Sequence, residues 1–433
     1  MSLTDINFQK IVSNLESWAN FENSSKLKDI SKLESIQLLL SKLDNPEKNF
    51  RIIHIAGTNG KGSTALIISR LLKFHGFSTG CYTSPHIIDI RERIRINGRL
   101  VSKKNFVDSA SIVLKKAKTF TGNLRITFFD LLTAIAFHVF MKKKMEWIVL
   151  ETGLGGRLDS TNVTNKELCI LTKVGFDHQD ILGENLKDIA KEKIGITRSQ
   201  IPIIISKQEN ELKKWLKKKL RKKSVPYYFA DDYYKTQFPK SKFSQNFYSE
   251  PQFEAISLSL CAMQILFKGN LLKKKKWFKI AKNYKISGRL DLRENIFWVK
   301  NSKSFNRILI DGSHNKDSIF ALIKFIAKNK IFPFNLILGM ASDKLVNAIK
   351  NQLTELCLKA DKTILTPINS PRTATTKNLE SFIIESSKTS CFNIKHVIYA
   401  EEALENCILN PEKSVVIAGS FYLVGEVLRI LKN

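Results

Sequence analysis

The stretch that most constrains this chain is RIIHIAGTNGKGST, residues 51–64. The apolar run Ile52 to Ile55 reads as a buried strand. It breaks into Gly57, Thr58, Asn59, Gly60, Lys61, Gly62, Ser63 and Thr64, and ALIISRLLKFHG behind it reads as an amphipathic helix over 65–75. Strand, glycine loop, lysine, hydroxyl and helix, in that order, make a cradle for phosphate. Glycines let backbone N–H groups approach an anion, the helix N-terminus adds the positive end of its dipole, and Lys61 adds a full charge. The general phosphate-loop pattern GxxxxGK[ST] would place Gly at 55 and a hydroxyl at 62. Ile55 and Gly62 stand there instead, so the loop is the shorter form GTNGKGS, and a plain glycine turn between strand and helix is the bland alternative.

Further strands alternate with helices along the chain. STGCYT, Trp147–Leu150, LCILTKV (168–174) and IPIIIS (201–206) surround the loop in sequence, and several are uniformly apolar. Such runs belong to a parallel sheet covered on both faces. The pattern restarts near Ser287-Gly288-Arg289 with NRILIDGSHN, NLILGM, KTILTP, HVIYA and SVVIAGS, each followed or preceded by a helical segment. The expected fold is therefore α/β: an N-terminal P-loop-type ATPase domain with a parallel-rich sheet over 1–286, and a smaller Rossmann-like α/β domain over 287–433. A hinge or linker is expected over 283–300.

In such sheets ligand groups collect at the carboxyl ends of strands. Ser84 follows the strand over 78–83, Glu151 follows Trp147–Leu150, and Asp177 and His178 follow the strand over 168–174. A hydroxyl, a carboxylate and an imidazole beside bound ATP suit Mg²⁺, which takes a few protein ligands together with phosphate oxygens and water. Each has a bland reading too: a capping or salt-bridging acid, a loop histidine, a turn serine before Pro85. Lys191 and Lys193 in AKEKIGI read, from the residues alone, as helix-surface lysines.

Net charge is +30, from 70 Lys and Arg against 40 Asp and Glu. The lysines are spread over the whole chain, and the densest runs, KKWLKKKLRKK (213–223) and KKKKW (273–277), read as solvated helix faces or connections. No helix-turn-helix or RNA-binding signature accompanies them, so nucleic acid is not the expected partner. The N-terminus MSLTDINFQK does not read as a secretory signal, and no apolar run reaches the ~18 residues of a membrane span. Six cysteines, at 81, 169, 261, 357, 391 and 407, lie far apart without metal-ligand spacing. A cytoplasmic protein with reduced thiols is expected.

The segments GTNGKGS, TSPH, TFFD, LETGLGGRLDSTN, DHQDILG, AKEKIGI, SGRLD, DGSHN and AGSFYLVGE follow one another from residue 51 to 426. In this order they resemble the bifunctional dihydrofolate synthase/folylpolyglutamate synthase family of the Mur ligase superfamily. LETGLGGRLDSTN is distinctive for its folate branch. The resemblance implies that Gly57, Thr58, Asn59, Gly60, Lys61, Gly62 and Ser63 hold the ATP phosphates, and that Arg289 and Asp311 contact ATP. It implies metal ligation by Ser84, Glu151 and His178, and by Lys193 as the family's carbamylated lysine. Lys61, Lys193 and His178 would be the catalytic set. Thr127, Phe128, Phe129, Asp130, Leu158, Asp159 and Ser160 fall in segments that contact the folate substrate, and His314 and Ser420 match glutamate-site positions. Asp130 stands where the family often carries Glu, and the helix holding Gln252 and Ala255 lacks the family's adenine-contacting asparagine.

What the resemblance implies chemically is amide formation. A substrate carboxylate, of dihydropteroate or a (tetrahydro)folate, takes the γ-phosphate of ATP and the resulting acyl phosphate is attacked by L-glutamate. Two Mg²⁺ ions are expected, with room for a monovalent cation such as K⁺, in a monomer that engages no membrane. A Mur-type ligase acting on a UDP-linked peptide is the nearest alternative. A basic ATP- or nucleic-acid-binding protein without ligase chemistry is the alternative from another class.

Overall fold

The computed structural model describes every residue except 1–2, 25–32, 121–125, 238–248, 269–270, 284–285, 299–302, 386–391, 409–411 and 433. Residues 27–32 of LKDISKLESIQLLLSKLD, a segment that reads as a helix ending near Pro46, and Cys391 lie outside the described residues. The chain divides into two compact units, Met1–Tyr284 and Lys285–Asn433.

The first unit is built on β1 (Arg51–Ala56), β2 (Thr79–Tyr82), β3 (Ile94–Ile96), β4 (Arg99–Leu100), β5 (Trp147–Glu151), β6 (Leu168–Leu171), β7 (Ile203–Ile205) and β8 (Tyr227–Phe229). They form one sheet in the order β4-β3-β2-β5-β1-β6-β7-β8. From β2 to β8 every neighbouring pair is parallel; β3 and β4 add an antiparallel edge. The chain leaves β1 for β2 on one side and later places β6 on the other. That reversal opens a crevice at the carboxyl end of β1.

The inner strands are apolar throughout because helices cover both faces. Leu131, Leu132, Ile135 and Phe140 of helix Phe128–Lys142 share a core with Ile52, Ile148 and Leu150. The lysine-rich run over 213–223 lies mostly in helix Asn210–Lys222. Its buried side is Leu212, Leu216 and Leu220, one every four residues, packed with Ile203, Ile205 and Leu171. Each buried leucine contributes roughly 1.5–3 kcal/mol, so three of them hold the helix to the sheet, while Lys214, Lys218, Lys219 and Lys222 are exposed.

The second unit holds β9 (Asp291–Trp298), β10 (Lys303–Ile310), β11 (Phe334–Leu338), β12 (Lys362–Leu365), β13 (Ile394–His396) and β14 (Ser414–Ala418), in the order β13-β12-β11-β14-β10-β9. All pairs are parallel except β9 with β10. Here the expected linker over 283–300 needs correction. Residues 291–298 are an edge strand paired along its length with β10, from Ile310↔Asp291 to Lys303↔Trp298. An edge strand needs no continuous apolar face, so DLRENIFW lacks the signature of the central strands. The strand expected at HVIYA also ends early: β13 stops at His396, and Ile398 and Tyr399 are exposed.

Among the described residues no helix is long and apolar enough to cross a membrane.

Candidate active site

The glycine loop sits at the carboxyl end of β1. Gly57 has φ 147°, and a Cβ there would lie 1.8 Å from Thr172 Oγ1, so only glycine lets the loop pass β6 this closely. Gly60, at φ 84°, caps helix Lys61–Phe74. That helix starts at Lys61 itself, four residues earlier than the sequence pattern indicated, because Gly60 supplies the left-handed turn. The first-turn amides of Lys61, Gly62 and Ser63 therefore point out of the helix start without carbonyl partners within the helix. The loop is tied to the segment after β6: Thr58 N donates to Lys173 O at 2.9 Å, and Gly175 N donates to Thr58 Oγ1 at 3.0 Å.

Two lysines and a carboxylate converge on this loop. Lys61 Nζ donates to Thr58 O at 3.3 Å and lies 4.0 Å from Glu151 Oε1. Glu151 is buried at the end of β5, opposite Ile55, and its Oε2 accepts the amide of Ser84 at 2.9 Å. Lys193 overturns its reading as a surface lysine. It is 4% exposed and donates to Gly57 O at 2.9 Å, whereas Lys191 is exposed. Burial, and then the charge of Lys61, lower its pKa to about 7, with Asp177 and Asp159 pulling the other way.

Asp177 and His178 follow β6. His178 takes φ 50° and its Nε2 is 3.7 Å from Asp177 Oδ1. Among the described residues no three His, Cys, Asp or Glu side chains form a cluster that could hold a metal ion.

The expected folate segments meet beside Glu151. Thr127 caps helix Phe128–Lys142 and shares a capping box with Asp130. Asp130 is buried and also accepts Ser160 Oγ at 2.6 Å. Asp159 accepts the amides of Gly153 and Leu154 at 2.8 and 3.0 Å. Burial raises the pKa of both acids while these bonds act to lower it. Phe129 packs against Gly153, where a Cβ would come within 2.6 Å of its ring, and lies 5.8 Å from the Tyr82 ring. Arg93 is placed 5.7 Å from the Phe128 ring and its Nε donates to His86 Nδ1. Phe128, Phe129 and Leu158 remain partly exposed.

The loop carrying Leu158 is bolted to the Lys193 turn. Arg157 N donates to Glu192 O at 2.8 Å, Asn162 Nδ2 donates to Arg157 O and Gly195 O, and a Cβ on Gly156 would lie 2.7 Å from Lys193 O. Nothing in the sequence around Asn162 announces this role; STN after an acid is a turn signal that carries no such information.

In the second unit Arg289, Asp311, His314 and Ser420 gather at the ends of β10 and β14. Asp311 is buried and accepts Leu290 N at 2.7 Å and Ser313 N at 2.9 Å; burial raises its pKa to about 6. The Arg289 guanidinium lies 4.7 Å from the Phe421 ring, and the His314 ring meets the same phenyl at 5.9 Å. His314 Nδ1 is 2.7 Å from Gly312 O, which makes it the donor. Ser420 caps helix Phe421–Ile430. Phe421, the common surface of this group, was not singled out from sequence. The absence of a side chain on Gly312, where a Cβ would meet its ring at 2.4 Å, was the available signal.

Residues 55–269 match the model of the Mur ligase middle domain, and residues 293–430 match that of the dihydrofolate synthetase C-terminal domain. A probable dihydrofolate synthetase of Schizosaccharomyces pombe is 30% identical over 421 residues, covering 92% of this chain and 98% of that protein. A dihydrofolate synthase/folylpolyglutamate synthase of Buchnera aphidicola is 27% identical over 425 residues, covering 96% and 98%. The crystal structure of a folylpolyglutamate synthase from Thermotoga maritima is similar with a TM-score of 0.75 at 27% identity, over 99% of this chain and 97% of that one.

Proposed function

Because the chain belongs to the dihydrofolate synthase/folylpolyglutamate synthase family of ATP-dependent acid–amino-acid ligases, we propose that it joins L-glutamate to dihydropteroate, to tetrahydrofolate, or to both. The observation that carries this reading is the convergence of Lys61, Glu151 and Lys193 on one glycine loop. ATP would lie with its phosphates on the amides of residues 57–63. A carboxylate oxygen of the pteroyl substrate attacks the γ-phosphorus, and ADP departs. The neutral amine of glutamate then attacks the acyl carbon, phosphate leaves, and the amine gives up a proton.

Lys61 would offset negative charge on the transferring phosphoryl group, a stabilisation that is strong inside a partly closed site. Glu151, held through its Oε2 by the Ser84 amide, would supply a hard carboxylate oxygen and Ser84 a hydroxyl, donors that suit Mg²⁺ better than a softer metal. When bound, Mg²⁺ would neutralise phosphate oxygens. Two ions are proposed, with His178 and a carbamylated Lys193 as the further ligands, and K⁺ as an additional monovalent cation. Carbamylation turns a cation into a carboxylate-like group, and it requires the neutral amine that burial favours at Lys193. Phe128, Phe129 and Leu158 offer partly exposed apolar surface for a pterin ring. Asp130 and Asp159 hold that surface in place through the bonds above. Arg289 and Asp311 are proposed to contact ATP, and His314 and Ser420 the incoming glutamate. The first unit is thus the proposed ATP- and folate-binding domain and the second the proposed glutamate domain of a monomeric, cytoplasmic enzyme.

The test is ADP release by purified protein. Release should require both L-glutamate and a pteroyl acid, and Lys61→Ala should lower it by about 10²–10³-fold. Full activity in Lys61→Ala would remove the phosphate-loop assignment.

A further inference from the structure

His54 occupies the middle of β1, fully buried, with Leu150 and Cys169 as its neighbours across the sheet. Its Nε2 lies 2.7 Å from Thr161 Oγ1. The Thr161 hydroxyl in turn donates its single proton to Asp159 Oδ1, which also accepts Thr161 N. Asp159 Oδ2 accepts Gly153 N and Leu154 N. Four donors therefore face this carboxylate, and they act against the burial that raises its pKa. With its own proton committed, Thr161 Oγ1 can only accept from His54, and the imidazole must be the Nε2–H tautomer. The bonds therefore run in one direction: imidazole, hydroxyl, carboxylate, two loop amides.

This is an expensive way to fill a strand position flanked by Ile53 and Ile55. The imidazole is buried, and its Nδ1 has no hydrogen-bond partner among the described residues. Burial and the charges of Lys166 and Arg198 hold its pKa well below the usual histidine range, so it stays neutral. An apolar side chain would pack there without stranding a polar atom. The reaction outlined above gives the imidazole no chemical step.

We propose that His54 is a positioning residue: through Thr161 and Asp159 it locks the Gly153–Leu154 turn to β1, the strand that also carries the phosphate loop. One strand then sets the placement of both the acceptor-substrate loop and the nucleotide loop. The effect on substrate rests on the reading of this loop as a pteroyl contact; the lock itself does not.

The experiment compares His54→Leu, His54→Gln, Thr161→Val and the double variant His54→Leu/Thr161→Val. Amide hydrogen exchange at Gly153 and Leu154 reads the lock, and KM for the pteroyl acid and for ATP reads its use. His54→Leu and Thr161→Val should each speed exchange at both amides and raise the pteroyl KM about tenfold. The double variant should be no worse than the single ones, and KM for ATP should stay within about twofold. Gln keeps a side-chain N–H donor, so His54→Gln should recover most of the loss. Unchanged exchange in His54→Leu, additive effects in the double variant, or no recovery with Gln would each overturn the proposal. If the parent protein turns over no pteroyl acid, the functional reading fails, and exchange at Gly153 and Leu154 still decides whether the lock exists. Should His54→Leu fail to fold, Thr161→Val alone carries the exchange comparison.

Discussion

Replacing Lys193 by methionine probes the least expected group in the site. The buried ammonium is disfavoured: its pKa falls from 10.5 to about 7. Between these values the unfolded chain holds a proton that the folded chain has released, so stability rises with pH by about 1.4 kcal/mol per unit. Below pH 7 both states are protonated and the full burden, about 5 kcal/mol, bears on the fold; above about 10.5 it is gone. Methionine removes that burden but leaves Gly57 O without its donor, which costs about 1–3 kcal/mol. In CO₂-free buffer Lys193→Met should therefore match or exceed the parent at pH 7. The parent should gain on it by about 2–3 kcal/mol between pH 7 and 9. Urea unfolding of both proteins at pH 7, 8 and 9 measures the difference. The same shift makes roughly half the amines neutral at pH 7, against about one in three thousand for an ordinary lysine. With ¹³C-bicarbonate, a carbamate carbon resonance should appear in the parent and be missing in Lys193→Met, which should also be inactive. Parallel stability profiles, together with no carbamate signal, would rule out a buried amine of lowered pKa at Lys193.

Gly156→Ala should push a Cβ into Lys193 O and Glu192 O, at 2.7 and 2.9 Å. We expect a loss of about 1–3 kcal/mol in urea unfolding and a reduced carbamate signal. Ser160→Ala removes one donor to the buried Asp130 carboxylate and should cost about 1–2 kcal/mol. It should also raise the pteroyl KM while leaving KM for ATP alone. Arg289→Ala should behave oppositely, raising KM for ATP and leaving the pteroyl KM unchanged, as steady-state kinetics with each substrate varied will show.

Much of the fold is legible because its physics is local. Ile52–Ile55, Trp147–Leu150 and Leu168–Leu171 are apolar at successive positions, which a strand covered on both faces requires. Gly57 and Gly60 announce a loop because the close approach to Thr172 and the left-handed turn exclude a side chain. The capping box of Thr127 and Asp130 spans four consecutive residues. What escapes is set at long range. Lys193 ends a polar helical turn, and nothing in AKEKIGI reveals that Gly57, 136 positions earlier, lies 2.9 Å from its ammonium. Asn162 and Gly195, or Asp130 and Ser160, are partners only once the sheet is assembled. From sequence β9 reads as linker because an edge strand can be polar on both faces. Motif resemblance reached Lys193 where residue chemistry alone did not, since motif order preserves information about three-dimensional neighbours that composition lacks.

In the proposed reaction ATP activates a pteroyl carboxylate by phosphoryl transfer before glutamate adds to it. We would follow ¹⁸O from the labelled substrate carboxylate during turnover with ATP, Mg²⁺ and L-glutamate, offering dihydropteroate and tetrahydrofolate in separate reactions. We expect ADP, a product heavier by one glutamyl residue with at least one of the two acids, and one ¹⁸O transferred to inorganic phosphate per amide formed. Unlabelled phosphate in a reaction that makes the amide, release of AMP and pyrophosphate, or turnover with neither acid would contradict it.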